Sequence, residues 1–161
     1  MELILWRHAE AEALEPDAQG DHLRDQLRAL TPKGARHASR VGAWLDRQLP
    51  SQCRILASPA TRCVQTAEAL GRKLSIVGAL NTDSTPEAIL DASGWPHQKA
   101  PVVIVGHSPL LGQVAALIFS GVVHDWKIRK GSLLWIARKS DDEPEPFIRL
   151  AVGPDIVGKL R

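Results

Sequence analysis

No stretch of the 161-residue chain is apolar for long enough to cross a bilayer. The opening run, Leu3 to Trp6, breaks off at Arg7 and is too short for a signal-peptide core. A cytoplasmic protein without a membrane partner is therefore expected. Cysteine is nearly missing. Cys53 and Cys63 fit no metal-ligand spacing, and in a reducing compartment they are expected as small core residues rather than as a disulfide. An excess of charge of one sign is missing too: 20 Lys and Arg face 18 Asp and Glu, a net charge of +2. That balance argues against a dominant nucleic-acid or membrane-surface role. His22, His37, His97 and His124 show no spacing such as HExxH, so neither a zinc site nor a cofactor is expected. Internal repeats, low-complexity tracts and linkers are also lacking.

What is present is enough apolar matter, 44% of the residues, for a real core in a single domain spanning residues 1–161. Apolar runs at 3–6, 54–57, 75–78 and 102–105 alternate with helical patterns, which predicts an α/β fold with a largely parallel sheet. SLLWIAR (132–138) and FIRLAV (147–152) flank the acidic loop SDDEPEP and read as an antiparallel pair added to that sheet. The expected architecture is a three-layer sandwich: a mostly parallel central sheet flanked by helices, with the antiparallel pair at its C-terminal end. Between Lys33 and Leu49, the residues Ala38, Val41, Leu45 and Leu49 mark one face of an amphipathic helix. It opens on Thr31-Pro32, and Ser58-Pro59 and Ser108-Pro109 read alike: a capping hydroxyl followed by a proline suited to the first helical position. Residues 79–101 are the most irregular part of the chain. Trp44 and Trp135 fall at core positions, whereas Trp95, in SGWPH, is a candidate for the rim of a site.

The polar residues converge on the strand ends. In open α/β sheets, ligands bind beyond the carboxyl ends of the strands. Arg7 and His8 end the first strand, Arg62 lies in the first turn of the helix after the second, and His107 ends the fourth. Taken singly, each reads as a solvated or surface residue. Together, two guanidinium forks and two imidazoles at one rim, beside helix N-termini, point to a phosphate site that needs no metal.

These positions carry a resemblance. RHAEAE, LTPKG (30–34), SPATRCVQTA (58–67) and VGHSP (105–109), in that order, resemble the histidine phosphatase superfamily, whose fold is phosphoglycerate mutase-like. Within it, the short chain is similar to the small bacterial SixA-type protein-phosphohistidine phosphatases. The resemblance implies that His8 is the nucleophile and that Arg7, Arg62 and His107 form the phosphate pocket. The reaction implied is hydrolysis of phosphohistidine on a signalling or phosphotransfer protein, such as a histidine phosphotransfer domain, through phospho-His8. Nearby positive charge is expected to lower the His8 pKa and keep it nucleophilic. A monomer that binds no nucleic acid is expected.

Two departures stand out. Ala9 occupies a position where the family usually has glycine, and no leaving-group acid is evident. Glu87, in STPEA, is the nearest candidate by position, although a helix-start glutamate is ordinarily solvated. A missing acid suits phosphohistidine, because an alkoxide is a poor leaving group that needs a proton supplied, whereas an imidazole, with a reference pKa of about 6.5, can be protonated by solvent. The alternatives are a phosphatase of small esters such as a sugar phosphate or nucleotide, and a non-catalytic module binding phosphorylated partners. Glu10 and Glu12 read as solvated acids, and Lys127, Arg129 and Lys130 as a solvated basic turn beside Trp126.

Overall fold

The computed structural model describes residues 1–159. Its elements, in chain order, are β1 (Glu2–Arg7), α1 (His22–Gln26), α2 (Pro32–Gln48), β2 (Arg54–Ala57), α3 (Thr61–Glu68), β3 (Ser75–Ile76), α4 (Pro86–Ser93), β4 (Val102–Gly106), α5 (Leu110–Ser120), β5 (Leu133–Ala137), β6 (Phe147–Val152) and α6 (Pro154–Val157). One six-stranded sheet runs in the order β3-β2-β4-β1-β5-β6. The β3-β2-β4-β1 part is parallel, and β5 and β6 join it as the antiparallel pair read from the sequence.

Helices cover both faces of the sheet, which is why β1 and β4 are continuous apolar runs instead of alternating ones. Alternation along β1 sends Ile4 and Trp6 to one core and Leu3 and Leu5 to the other. The first core holds Val41 and Leu45 of α2, Cys63 and Ala67 of α3 and Val157 of α6; the second holds Ile89 of α4 and Leu111 and Val114 of α5. Leu3 to Trp6 are fully buried, each contributing about 1.5–3 kcal/mol of hydrophobic stabilisation. This anchored central strand delivers Arg7 and His8 to the sheet's carboxyl edge.

The hydroxyl-proline starts do not all behave alike. Thr31 caps α2, its side chain accepting from Gly34 N–H at 2.9 Å. Ser58 and Ser108 cap nothing: α3 begins after Ala60 and α5 after Pro109, both without a side-chain cap. Ser58 is drawn instead to a histidine ring. Thr85-Pro86 is a second true start, with Thr85 accepting from Ala88 N–H, and it opens a helix inside the segment that read as irregular. Trp95 does not line the rim. It packs on the second core, and its neighbours Pro96 and Gln98 bond Arg138 and the Glu2 carbonyl at the opposite end of β1. Both cysteines are free, with Cys63 buried. No helix among the described residues is long and apolar enough to cross a membrane.

Candidate active site

His8 is held by its backbone before its ring is considered. Its N–H donates to Gly106 O at 3.1 Å, extending the β1-β4 ladder, and its carbonyl accepts from Gly131 N–H at 3.0 Å. Gly131 turns with φ +73°, a conformation that glycine adopts without strain, and its carbonyl accepts from the Trp6 indole at 3.1 Å. One residue on, Ala9 N–H donates to Thr66 Oγ1 at 3.1 Å, and that hydroxyl donates to Arg62 O at 2.7 Å. The strand end, the turn before β5 and α3 thus clamp one short segment.

The rings follow from these anchors. His8 Nδ1 lies 2.7 Å from Ala9 O. A carbonyl can only accept, so Nδ1 carries the proton and the Nε2 lone pair is free. His107 takes the opposite tautomer by the same logic: Arg62, a donor only, approaches Nδ1 at 3.4 Å, and Nε2–H donates to Ser58 Oγ at 2.8 Å. Ser58 Oγ also accepts from Ala60 N–H and faces Asn81 Oδ1. The two rings stand edge-on, 5.6 Å between centroids and 61° between planes.

Both imidazoles are held neutral. Burial, foremost, lowers the His8 pKa to about 4; the bond to Ala9 opposes this, and the charges of Arg62, Arg7 and Arg28 reinforce it. Burial therefore outranks the positive charge expected to do this work. His107 is lowered to about 3 by burial, then by Arg62 and His8. Cys63 Sγ touches His107 Nε2 at 3.5 Å, but burial raises its thiol to about 12, which leaves it protonated and unreactive.

Of the guanidinium groups, Arg7 donates to Ile128 O at 2.9 Å. Arg62, 3% exposed, donates to Asp25 O at 2.9 Å and pairs with Asp25 Oδ2 at 3.3 Å. Arg28 holds the other Asp25 oxygen at 3.0 Å. Burial works against the Asp25 charge, but the two arginines outweigh it and keep the carboxyl below its usual range. Among the described residues, the buried side-chain polar atoms lacking a partner are Arg7 Nε, Arg62 Nε and Gln98 Oε1. A buried donor left unpaired is costly; two of these three atoms belong to the arginines flanking His8, and an anion received there would satisfy them.

The structure therefore brings Arg7, His8, Arg62 and His107 together from three strand ends. It does not bring in Glu87, which is exposed in the first turn of α4 and makes no hydrogen bond or ion pair with the quartet among the described residues. Glu10, read as solvated, accepts from Thr31 Oγ1 at 2.8 Å, and that bond leads in lowering its pKa. Sequence reasoning missed Asp25, Ser58 and Thr66. For Ser58 and Thr66 a signal existed: both lie in the quoted SPATRCVQTA motif, Thr66 one helical turn beyond Arg62. Asp25 lies on a one-turn helix with no apolar periodicity to mark it.

Comparison with known proteins gives this arrangement its context. The chain is 28% identical over 130 residues to the phosphohistidine phosphatase SixA of Escherichia coli, covering 75% of this chain and 76% of that one. It is 30% identical over 122 residues, 74% of each chain, to an uncharacterised protein of Mycobacterium leprae. Its fold superposes with a TM-score of 0.78 on the protein histidine phosphatase SixA complexed with tungstate, at 18% identity and over 98% of this chain and 99% of that one. A mycobacterial glucosyl-3-phosphoglycerate phosphatase also shares the fold, with a TM-score of 0.64, 12% identity and coverage of 92% and 97%. The sequence model of the histidine phosphatase superfamily, branch 1, matches residues 3–85, from the first buried residue of β1 past Arg62 to the cap of α4, and the chain belongs to that superfamily.

Proposed function

We propose that the protein is a phosphatase that hydrolyses phosphohistidine on a protein through a phospho-His8 intermediate. The observation that carries this reading is the pairing of a neutral His8, its Nε2 lone pair free, with two arginines whose buried Nε–H groups have no partner. In the first step Nε2 attacks phosphorus in line, the bond from phosphorus to the substrate imidazole breaks, and that imidazole leaves with a proton from solvent. The Nδ1–H bond to Ala9 O fixes the ring and supports the positive charge it acquires. Arg7 and Arg62 meet the charge spread over the equatorial oxygens. Water then attacks phospho-His8, inorganic phosphate departs, and His8 returns to its neutral form.

His107 has a conditional role. Its Nδ1 accepts from Arg62, so in this tautomer it becomes a donor to phosphate there once protonated. A dianion beside it raises its pKa in that direction.

The carboxylates around the quartet favour phosphohistidine over an ester. Asp25 is held ionised by two arginines, and Glu10 by Thr31; neither holds a proton for an alkoxide near neutral pH. The similarity to SixA supports the same choice, while the fold shared with a glucosyl-3-phosphoglycerate phosphatase keeps the ester as the competing substrate. The test compares kcat/KM on a phosphohistidine protein with that on a panel of sugar phosphates and nucleotides. Preference for the protein is expected; faster turnover of any ester would overturn the substrate, and no release of phosphate from any compound the enzyme reading.

A further inference from the structure

The turn Lys127, Arg129, Lys130 is more than a solvated corner. With Lys33 and Arg7 it lines a groove of about 640 Å³. Arg7 belongs to both places, so the groove adjoins the phosphate site. The carboxylates in its lining are Glu10 and Asp155, and Glu10 is already engaged by Thr31. A chain whose net charge is only +2 therefore concentrates, beside its anion site, cations that form no ion pair among the described residues.

A second groove, of about 370 Å³, shares Lys127, Arg129, Ser132 and Asp155 with the first and continues onto an apolar shelf. Trp126, 38% exposed, and Ile148, 52% exposed on the edge strand β6, belong to that shelf. From Arg7 the first groove carries guanidinium groups and lysines, and through Lys127 and Arg129 it passes into the second, which reaches apolar surface. A small ester ends at the first of these; only a macromolecule reaches the last. The Trp126 indole is already stacked on Phe119, with 5.9 Å between ring centroids, which takes up one face a nucleobase would need. The basic turn is also tied to the site, because the Ile128 carbonyl, between Lys127 and Arg129, accepts from Arg7 at 2.9 Å.

We propose that these joined grooves are a docking surface for the phosphoprotein substrate, taking an acidic stretch next to the phosphohistidine in the basic groove and apolar side chains on the shelf. This rests on the phosphohistidine reading above and names the kind of partner that the reading leaves open. Charge complementarity of this type sets specificity and encounter rate more than bulk affinity.

The test uses fluorescent peptides of equal length carrying a non-hydrolysable phosphotriazole analogue of phosphohistidine, flanked by glutamates or by lysines. Anisotropy should give the glutamate peptide about tenfold tighter binding to the wild-type protein, from a few exposed ion pairs, with the advantage shrinking as salt rises. The Lys127→Glu/Lys130→Glu double variant should abolish or invert that ratio. Lys33→Glu, on α2 and away from the turn that holds Arg7, should reduce it independently, with melting curves confirming that both variants fold. Equal binding of the two peptides, failure of the glutamate peptide to bind, a ratio unchanged in both variants, or stronger competition by an oligonucleotide than by the glutamate peptide would each overturn the proposal. Hydrolysis of the corresponding phosphohistidine peptides is measured alongside. Hydrolysis without charge preference rejects the docking surface alone, and charge preference without hydrolysis rejects the enzyme reading alone.

Discussion

Acid should destabilise this protein well before its carboxylates protonate, and the two site histidines set the size of the effect. In the unfolded chain each imidazole titrates near 6.5; in the folded protein His8 is lowered to about 4 and His107 to about 3. Depressed folded values mean that the unfolded state binds protons first, so stability falls as pH drops below 6.5 and levels off only beneath the folded values. At pH 5, which is 1.5 pH units below the unfolded value, each ring costs about 2 kcal/mol, at ~1.4 kcal/mol per pH unit. The pair together lowers stability by about 4 kcal/mol relative to pH 8, or about 2 M in urea midpoint for a slope near 2 kcal/mol per molar. Urea titrations at both pH values, in phosphate-free buffer, measure this for the wild type and for the His8→Asn/His107→Asn variant. His37 is also lowered, by burial first and then by Arg40 and Lys33, but it is common to both proteins and cancels in the comparison. The variant should lose most of the pH dependence. An equal drop in both proteins would refute the claim that the site keeps these rings neutral.

Ser58→Ala leaves the buried Nε2–H of His107 without its acceptor; a loss of about 1–3 kcal/mol in stability is expected from thermal melts, together with weaker inhibition by phosphate. An unchanged melting temperature would show that water replaces the hydroxyl at no cost. Gly34→Ala places a Cβ 2.0 Å from the Glu10 carbonyl oxygen, so α2 must shift away from the segment after His8. Destabilisation of about 1–3 kcal/mol is expected, and a wild-type melting curve would contradict the packing described. Arg62→Lys keeps the charge but not the planar fork; competitive inhibition by phosphate should weaken by about tenfold or more, and an unchanged inhibition constant would remove Arg62 from the anion site.

Much of this was legible in the amino-acid order because strong local signals coincided with the fold. Continuous apolar runs marked β1 and β4, the helical stripe marked α2, and the strand-end rule gathered Arg7, His8, Arg62 and His107 on one rim. The misreadings have a common cause. Ser58 and Ser108 carry the local signature of a helix cap, yet a cap is decided by where the backbone turns, and tertiary contact with His107 claimed the Ser58 hydroxyl instead. Asp25 meets Arg62 across 37 residues, a pairing that no periodicity announces. The turn at Lys127 to Lys130 is solvated as read, but the groove it lines with Arg7 and Lys33 exists only once β1, α2 and β5 are assembled. Burial as the leading cause of the low His8 pKa was hidden for the same reason: charge can be counted in a sequence, whereas desolvation needs the walls.

The most direct test of the central claim is rapid-quench trapping with a phosphohistidine protein carrying radioactive phosphate. Within the first turnover the wild-type enzyme should acquire acid-labile, base-stable label approaching one phosphate per chain, located on the peptide that contains His8, and His8→Ala, folded by its melting curve, should acquire none. Turnover by the wild type without labelled enzyme at any quench time, or label of the same stability on His8→Ala, would contradict it.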